Sequence, residues 1–205
     1  MDSTANQSRL ALYPLFLKLA GRAVLVVGGG EVATAKVRAL IEAGAEIRVV
    51  APQVTPEIEA LANARKISLA RRCYQAGDLE GVWFVVAAVP LEVARKVAAA
   101  AESQRLFVLA VDETSAASAY GAGTLRRGGV TVAVSTDGRA PALAGLLREG
   151  LEAVLPDDLE AWTAEAERRR AAWRAEAVPI AERRPLLLQA LNDIYAKRAA
   201  ARRTP

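Results

Sequence analysis

The 205-residue chain has no histidine and one cysteine, Cys73. Those two shortages remove whole classes of chemistry. Without histidine there is no Ser–His–Asp or Cys–His nucleophile and no His-ligated zinc. With one cysteine there is no internal disulfide and no all-thiolate metal site, so no metal centre is expected. Acid–base work falls to Asp, Glu, Lys, Tyr or bound water. Cys73, beside Arg71 and Arg72, reads as an ordinary residue at a strand end. A lone thiol suits a reducing compartment, and a cytoplasmic protein is expected. Aromatics make up only 5% of the chain, and apolar residues 53%. No charge-free run nears the roughly 20 residues of a membrane span, so no membrane partner is expected. No basic segment leads into a long apolar core at the N-terminus, which argues against a secretory signal.

The net charge of +4 is modest. It favours anionic partners in general, nucleic acid or a polycarboxylate among them. Arg168-Arg169-Arg170 points in too many directions around a helix to form one patch, and reads as a solvated face. No DNA-reading helix with a basic face stands out, and no nucleic-acid partner is expected.

What the chain does have is a glycine triplet closing an apolar run, Val24-Leu25-Val26-Val27-Gly28-Gly29-Gly30, followed at once by the helical stretch Glu31–Ile41. Gly28, Gly30 and Ala33 fit the G-x-G-x-x-G/A pattern in the setting it needs, after a strand and opening a helix. Gly28 permits the tight turn, Gly30 lets backbone approach a pyrophosphate, and Ala33 allows close helix–strand packing. The helix start adds free N–H groups and a positive dipole end. A dinucleotide site follows, though no reaction.

Around it, apolar strands are expected at 23–27, 47–51, 82–88 and 106–111, with a more polar one at 67–72. Helices are expected at 31–43, 55–64 and 91–103. Ala33, Val37, Leu40 and Ile41 make one stripe facing a sheet. Strands apolar on both faces, alternating with helices, describe a buried parallel sheet, the doubly wound Rossmann-type α/β fold. Residues 1–12 read as a frayed tail, with Tyr13-Pro14-Leu15-Phe16 as the first ordered contact. After Val111 the pattern changes. Residues 112–128 show no period, Val130–Val134 alternates as a strand, and Thr136–Pro141 turns into a helix. Pro156-Asp157-Asp158 opens another helix with acids at its positive end. Helix then continues to about residue 200, with a break near Pro179–Pro185. Trp162 and Trp173, eleven apart on one face, read as core or subunit contacts. The organisation expected is 1–113 as the cofactor domain, 114–150 as a dimerisation segment and 151–205 as a helical domain.

Three stretches then resemble one family. They are Tyr13–Phe16 followed by Val26–Ala33; Val111-Asp112 followed by Ala116-Ala117-Ser118; and Val132–Leu143 continuing to Leu146-Leu147-Arg148-Glu149. In this order and spacing the chain resembles the precorrin-2 dehydrogenase / sirohydrochlorin ferrochelatase family, the N-terminal module of siroheme synthases. The resemblance runs from about Tyr13 to Leu155.

The resemblance implies NAD-dependent oxidation of precorrin-2 to sirohydrochlorin, within a homodimer whose contact is built after the sheet. Longer relatives carry a methyltransferase domain next, so an end at Pro205 reads as the free-standing form. Asp112 matches the family's catalytic carboxylate, and a base there would take the proton that must leave along with hydride. Cofactor contacts carry over to Gly28, Gly29, Gly30, Glu31, Val32, Pro52 and Gln53. No acid follows the second strand where a strict NAD fingerprint has one; relatives often lack it too, so the resemblance favours NAD without fixing it over NADP. Two further departures are Ala87–Pro90, where relatives often carry Thr and acids, and Ala140 in place of a common serine. For a substrate rich in carboxylates, Arg126, Arg127, Arg139 and Arg148 offer guanidinium forks. Ser135 and Thr136 add hydroxyls, with turn capping as their alternative role. Substrate contacts are expected at Ser135, Thr136, Arg139 and Arg126. Added iron chelation is the alternative activity, and a dinucleotide-sensing binding module the remaining one.

Overall fold

The computed structural model describes residues 11–111 and 114–201. Strand β1 (Ala23–Val27) is buried along its whole length, as the centre of a sheet covered on both faces requires. It lies between β2 (Glu46–Val50) and β4 (Phe84–Ala87), with β3 (Ser68–Ala70) and β5 (Val108–Ala110) outermost. All four pairings are parallel and the order is β3-β2-β1-β4-β5. The connections after β1 and β3 diverge to opposite sides of β1. That divergence opens a crevice at the carboxyl ends of β1 and β4, the place where doubly wound sheets bind ligands.

Period-2 alternation sends successive residues of one strand into two cores. Val24, Val26, Val49 and Val86 pack under α1 (Glu31–Glu42) through Ala33, Val37 and Leu40, and under α2 (Pro56–Asn63) through Ile58. Leu25, Val27, Val85 and Val108 pack on the other face with Ala94, Val97 and Ala101 of α3 (Leu91–Ser103). Every expected strand and helix of this region is present; β1 has the expected bounds, β2 lies one residue earlier, and β3, β4 and β5 are shorter than expected. Tyr13–Phe16 departs from expectation. Tyr13 is 86% and Phe16 72% exposed, and the first buried side chain is Leu19. Residues 11–18 have no regular structure.

The chain divides into two compact units, Met1–Gly121 with Asp137–Ala140, and Ala122–Thr136 with Pro141–Pro205. In the second, β6 (Gly123–Arg127) and β7 (Val130–Val134) form an antiparallel hairpin. The aperiodic reading of 112–128 missed β6. Gly128 and Gly129 take φ of 52° and 78°, the mirror-image turn that matches strand twist. Helices α4 (Pro141–Val154), α5 (Leu159–Ala175) and α6 (Ile180–Ala201) follow. The break before α6 is narrower than expected. Ala177 turns left-handed at φ 52°, and Pro185 sits inside the helix, where it removes one backbone bond. Trp173 is buried. Trp162 meets Tyr195 edge-on at 6.1 Å and donates its indole N–H to the Tyr195 hydroxyl at 2.9 Å. Arg168 and Arg169 both pair with Glu165, which is buried.

The loop leaving β3 is fixed by an ion pair. Arg72 grips Asp78 through two bonds of 2.9 and 2.5 Å, and Gln75 N–H donates to the same carboxylate at 2.8 Å. The Arg72 hydrogen bond is the main reason that the Asp78 carboxyl is held below its ordinary value. A depressed carboxyl stabilises the fold above the unfolded-state value of about 4 and loses that contribution as pH falls through the folded value. Asp78→Asn should therefore lower stability in urea unfolding at pH 7, and the gap to the parent should close below about pH 4. An unchanged gap at both pH values would contradict this.

Candidate functional site

The glycine turn is shaped by what surrounds it. Gly28 takes φ 119°, and a Cβ there would run into the Ala88 carbonyl beyond β4. A Cβ on Gly29 would collide with the Gln53 carbonyl and lie 2.8 Å from Val54 Cγ1. Gly28 N–H donates to Val50 O at 3.0 Å, and Thr55 N–H to Gly29 O at 2.9 Å. The turn is thus clamped between the ends of β2 and β4. Gly30 differs, since a Cβ there would meet nothing within 4 Å.

Gly30 is also the N-cap of α1, and no side chain caps that helix. The first-turn N–H groups of a helix have no partner within it, and they carry the positive end of its dipole. Beside them, the backbone of Gly30 carries no side chain and has open space where one would stand, a cradle that fits a pyrophosphate. Thr34, buried on the second turn, bonds Gly30 O at 3.0 Å and the Thr55 hydroxyl at 2.8 Å. Thr55 in turn caps α2 by accepting from Ile58 N–H at 3.3 Å. The two helix starts are therefore tied together behind the turn.

Glu31 and Val32 are exposed on the first turn, and Pro52 and Gln53 are exposed just past β2. These residues lie where the resemblance puts the cofactor contacts, at the carboxyl ends of β1 and β2. Arg48 sits in mid-strand and donates to Glu80 O at 3.0 Å. Asp112 lies outside the described residues.

A cavity of about 770 Å³ lies in the same unit. It is lined by Ala11, Leu12, Thr114, Ser115, Tyr120 and the turn Asp137-Gly138-Arg139, and its size falls within the range of small-molecule sites. Sequence reasoning had named only Arg139 of this group. The signal available for the rest was one tyrosine in a stretch of small residues.

The remaining candidates belong to the second unit. Arg126 is exposed on β6 opposite Thr131, and Ser135 and Thr136 follow β7. Ser135 shares the Arg126 face of the hairpin, about 13 Å farther along the strand. Two other arginines have structural tasks. Arg127 donates to Leu155 O at 2.8 Å, closing α4, and Arg148 pairs with Glu149 at 3.2 Å and Glu152 at 2.8 Å.

Comparison with known proteins bears on these features. A family model described as "Putative NAD(P)-binding" matches residues 15–121, and one described as "Sirohaem biosynthesis protein central" matches residues 127–153. Siroheme synthase 1 of Aeromonas salmonicida (strain A449) is 39% identical over 190 residues, 92% of this chain and 41% of that protein. A siroheme synthase of Ectopseudomonas mendocina (strain ymp) is 44% identical over 144 residues, 70% of this chain and 31% of that protein. The chain thus spans well under half the length of these curated relatives. The solved structure of SirC, precorrin-2 dehydrogenase, aligns with TM-score 0.69 and 28% identity, covering 90% of this chain and 92% of that one.

The geometry separates the glycines by role. Gly30→Ala, at φ −81°, should leave stability within about 0.5 kcal/mol while weakening NADH binding at least about tenfold, one lost contact of ~1.4 kcal/mol. Gly28→Ala should instead lower the melting temperature, because its Cβ has no space. Thermal unfolding and NADH fluorescence titration read both, and full affinity in Gly30→Ala would contradict the cradle.

Proposed function

We propose, because the chain belongs to the precorrin-2 dehydrogenase / sirohydrochlorin ferrochelatase family, that it oxidises precorrin-2 to sirohydrochlorin in siroheme biosynthesis. The observation that carries this reading is an open dinucleotide cradle at the carboxyl edge of the sheet, in a compact unit that also holds a cavity large enough for an organic substrate. The oxidation removes one hydride and one proton from the macrocycle, and NAD supplies the hydride acceptor when bound. The N–H groups of Gly30, Glu31 and Val32 would hold the pyrophosphate, and Pro52 and Gln53 would border the rest of the cofactor. Asp112, next in sequence after Val111, accepts the departing proton. Arg139 pairs with a substrate carboxylate through its guanidinium fork. Arg126, Ser135 and Thr136 add contacts to the acid side chains. The setting is the cytoplasm.

The active form is a homodimer. On α4 the side chains Leu143, Leu146, Leu147, Leu151 and Val154 are all exposed, Val154 at 74%. Their i, i+3, i+4, i+8, i+11 spacing makes one apolar stripe, and a continuous exposed apolar stripe marks an interaction surface. Ala144, at the edge of this stripe beside Leu147 and Leu151, is buried, and Gly123 of the hairpin comes so close that a Cβ would lie 3.1 Å from Ala144 O. A second copy presenting the same stripe would cover it by a two-fold contact. Light scattering should find a dimer that Leu146→Glu converts to a folded monomer. A variant that stays dimeric would place the contact elsewhere.

The names of the relatives favour a second activity on the same site, insertion of ferrous iron into sirohydrochlorin as substrate metal. Both activities can be followed in one cuvette. Anaerobic incubation with precorrin-2 should give NADH and sirohydrochlorin only when NAD is present, and ferrous ion added afterwards tests chelation. Asp112→Asn should bind NADH normally and turn over at least about 100-fold more slowly, the usual scale for loss of a general base. Turnover within a few-fold of the parent would remove Asp112 from the chemistry. Absence of NADH with the parent protein would overturn the dehydrogenase reading.

A further inference from the structure

The backbone leading to Tyr120 is pinned to the edge of the sheet. Ser118 N–H and Ala119 N–H both donate to Val108 O at 3.0 Å, and Val108 N–H donates to the Ser118 hydroxyl at 2.8 Å. Leu109 and Ala119 form an isolated parallel bridge. Tyr120 therefore projects from a fixed strand extension at the wall of the cavity.

The turn Asp137-Gly138-Arg139 rests against it. Asp137 and Gly138 both take left-handed conformations, φ 54° and 72°, which Asp and Gly tolerate best. A Cβ on Gly138 would lie 2.7 Å from Thr114 Cγ2 and 2.8 and 3.0 Å from Tyr120 Cε1 and Cδ1. The bare backbone of Gly138 thus lies directly on the tyrosine ring and the threonine methyl. The Tyr120 hydroxyl reaches Thr114 O only at 3.5 Å, a long bond, so the ring does the supporting. The next residue is Arg139, whose side chain is 63% exposed and stands 3.7 Å from the Asp137 carboxylate.

We infer that Tyr120 and Gly138 form a seat that fixes the direction of Arg139 into the cavity, which makes Tyr120 a positioning residue for recognition of a substrate carboxylate. This rests on the cavity being the site of the polycarboxylate substrate. A guanidinium fork rewards fixed geometry, because both of its bonds must form together. Without the ring, the turn loses the surface on which its glycine rests, and Arg139 is held less firmly in one direction.

Kinetics with precorrin-2 and NAD test this with Tyr120→Phe, Tyr120→Ala, Arg139→Ala and the double alanine variant. Tyr120→Phe keeps the ring and should stay within about twofold of the parent. Tyr120→Ala should raise KM for precorrin-2 about tenfold, with kcat and KM for NAD unchanged, the mark of lost uniform binding. Arg139→Ala should do the same, and the double variant should be no worse than Arg139→Ala alone, since both remove one interaction. Multiplying effects, or an equal loss for NAD, would overturn the seat. A second readout needs no turnover. Trypsin should cut after Arg139 faster in Tyr120→Ala than in Tyr120→Phe, at equal melting temperature. Equal cleavage would refute the seat, whereas faster cleavage in a protein that leaves precorrin-2 unchanged would uphold the seat and refute the substrate.

Discussion

The site depends first on a steric constraint, two glycines that have no room for a side chain. Gly28 and Gly29 are wedged between the chain ends of β4 and β2, held by bonds from Gly28 N–H to Val50 O and from Thr55 N–H to Gly29 O. Because those two are clamped, Gly30 and the start of α1 are left facing open space. The same constraint requires β1, β2 and β4 to end level with each other. Their register supplies this, with Val27 opposite both Val50 and Ala87. The shape of the candidate cofactor cradle is thus a consequence of how the sheet terminates.

The second layer of organisation is the division of labour among charged groups. Arg72, Arg127, Arg148 and the Arg168–Arg169 pair all have partners within the protein. The exposed pairs among them add little stability each, whereas Asp78 and Glu165 are largely covered; together they show which cations are committed to structure. Arg139 also has a partner, Asp137 at 3.7 Å, and in addition follows a closely packed glycine on a turn that lines the cavity. In the proposed function, recognition of an acidic substrate would rest on that placement more than on total charge.

Much of this was legible in the amino-acid order. β1 is readable because a strand covered on both faces must be apolar throughout, and α1 because Ala33, Val37 and Leu40 repeat at the helical period. The glycine turn announces itself because only glycine survives those approaches. The failures have equally local causes. β6 contains Thr124, Arg126 and Arg127, residues that fit a half-exposed hairpin and also fit a loop, and the Gly128-Gly129 turn was the cue that went unused. Pro185 reads as a break, yet α6 runs through it with one backbone bond missing. Tyr120, Thr114 and Ser115 were invisible as a group, because their cavity closes only when residues 137–139 fold back on them. No pattern along the chain encodes that closure.

In the proposed function, turnover, cofactor site and substrate site would meet in a single event, transfer of hydride from the macrocycle to the nicotinamide. The measurement that tests it most directly uses precorrin-2 deuterated at the carbon that gives up hydride, incubated anaerobically with the protein and NAD. Mass analysis of the recovered cofactor should show NADH carrying one deuterium for each sirohydrochlorin formed. Sirohydrochlorin appearing with undeuterated NADH, or with no NADH, would contradict the account.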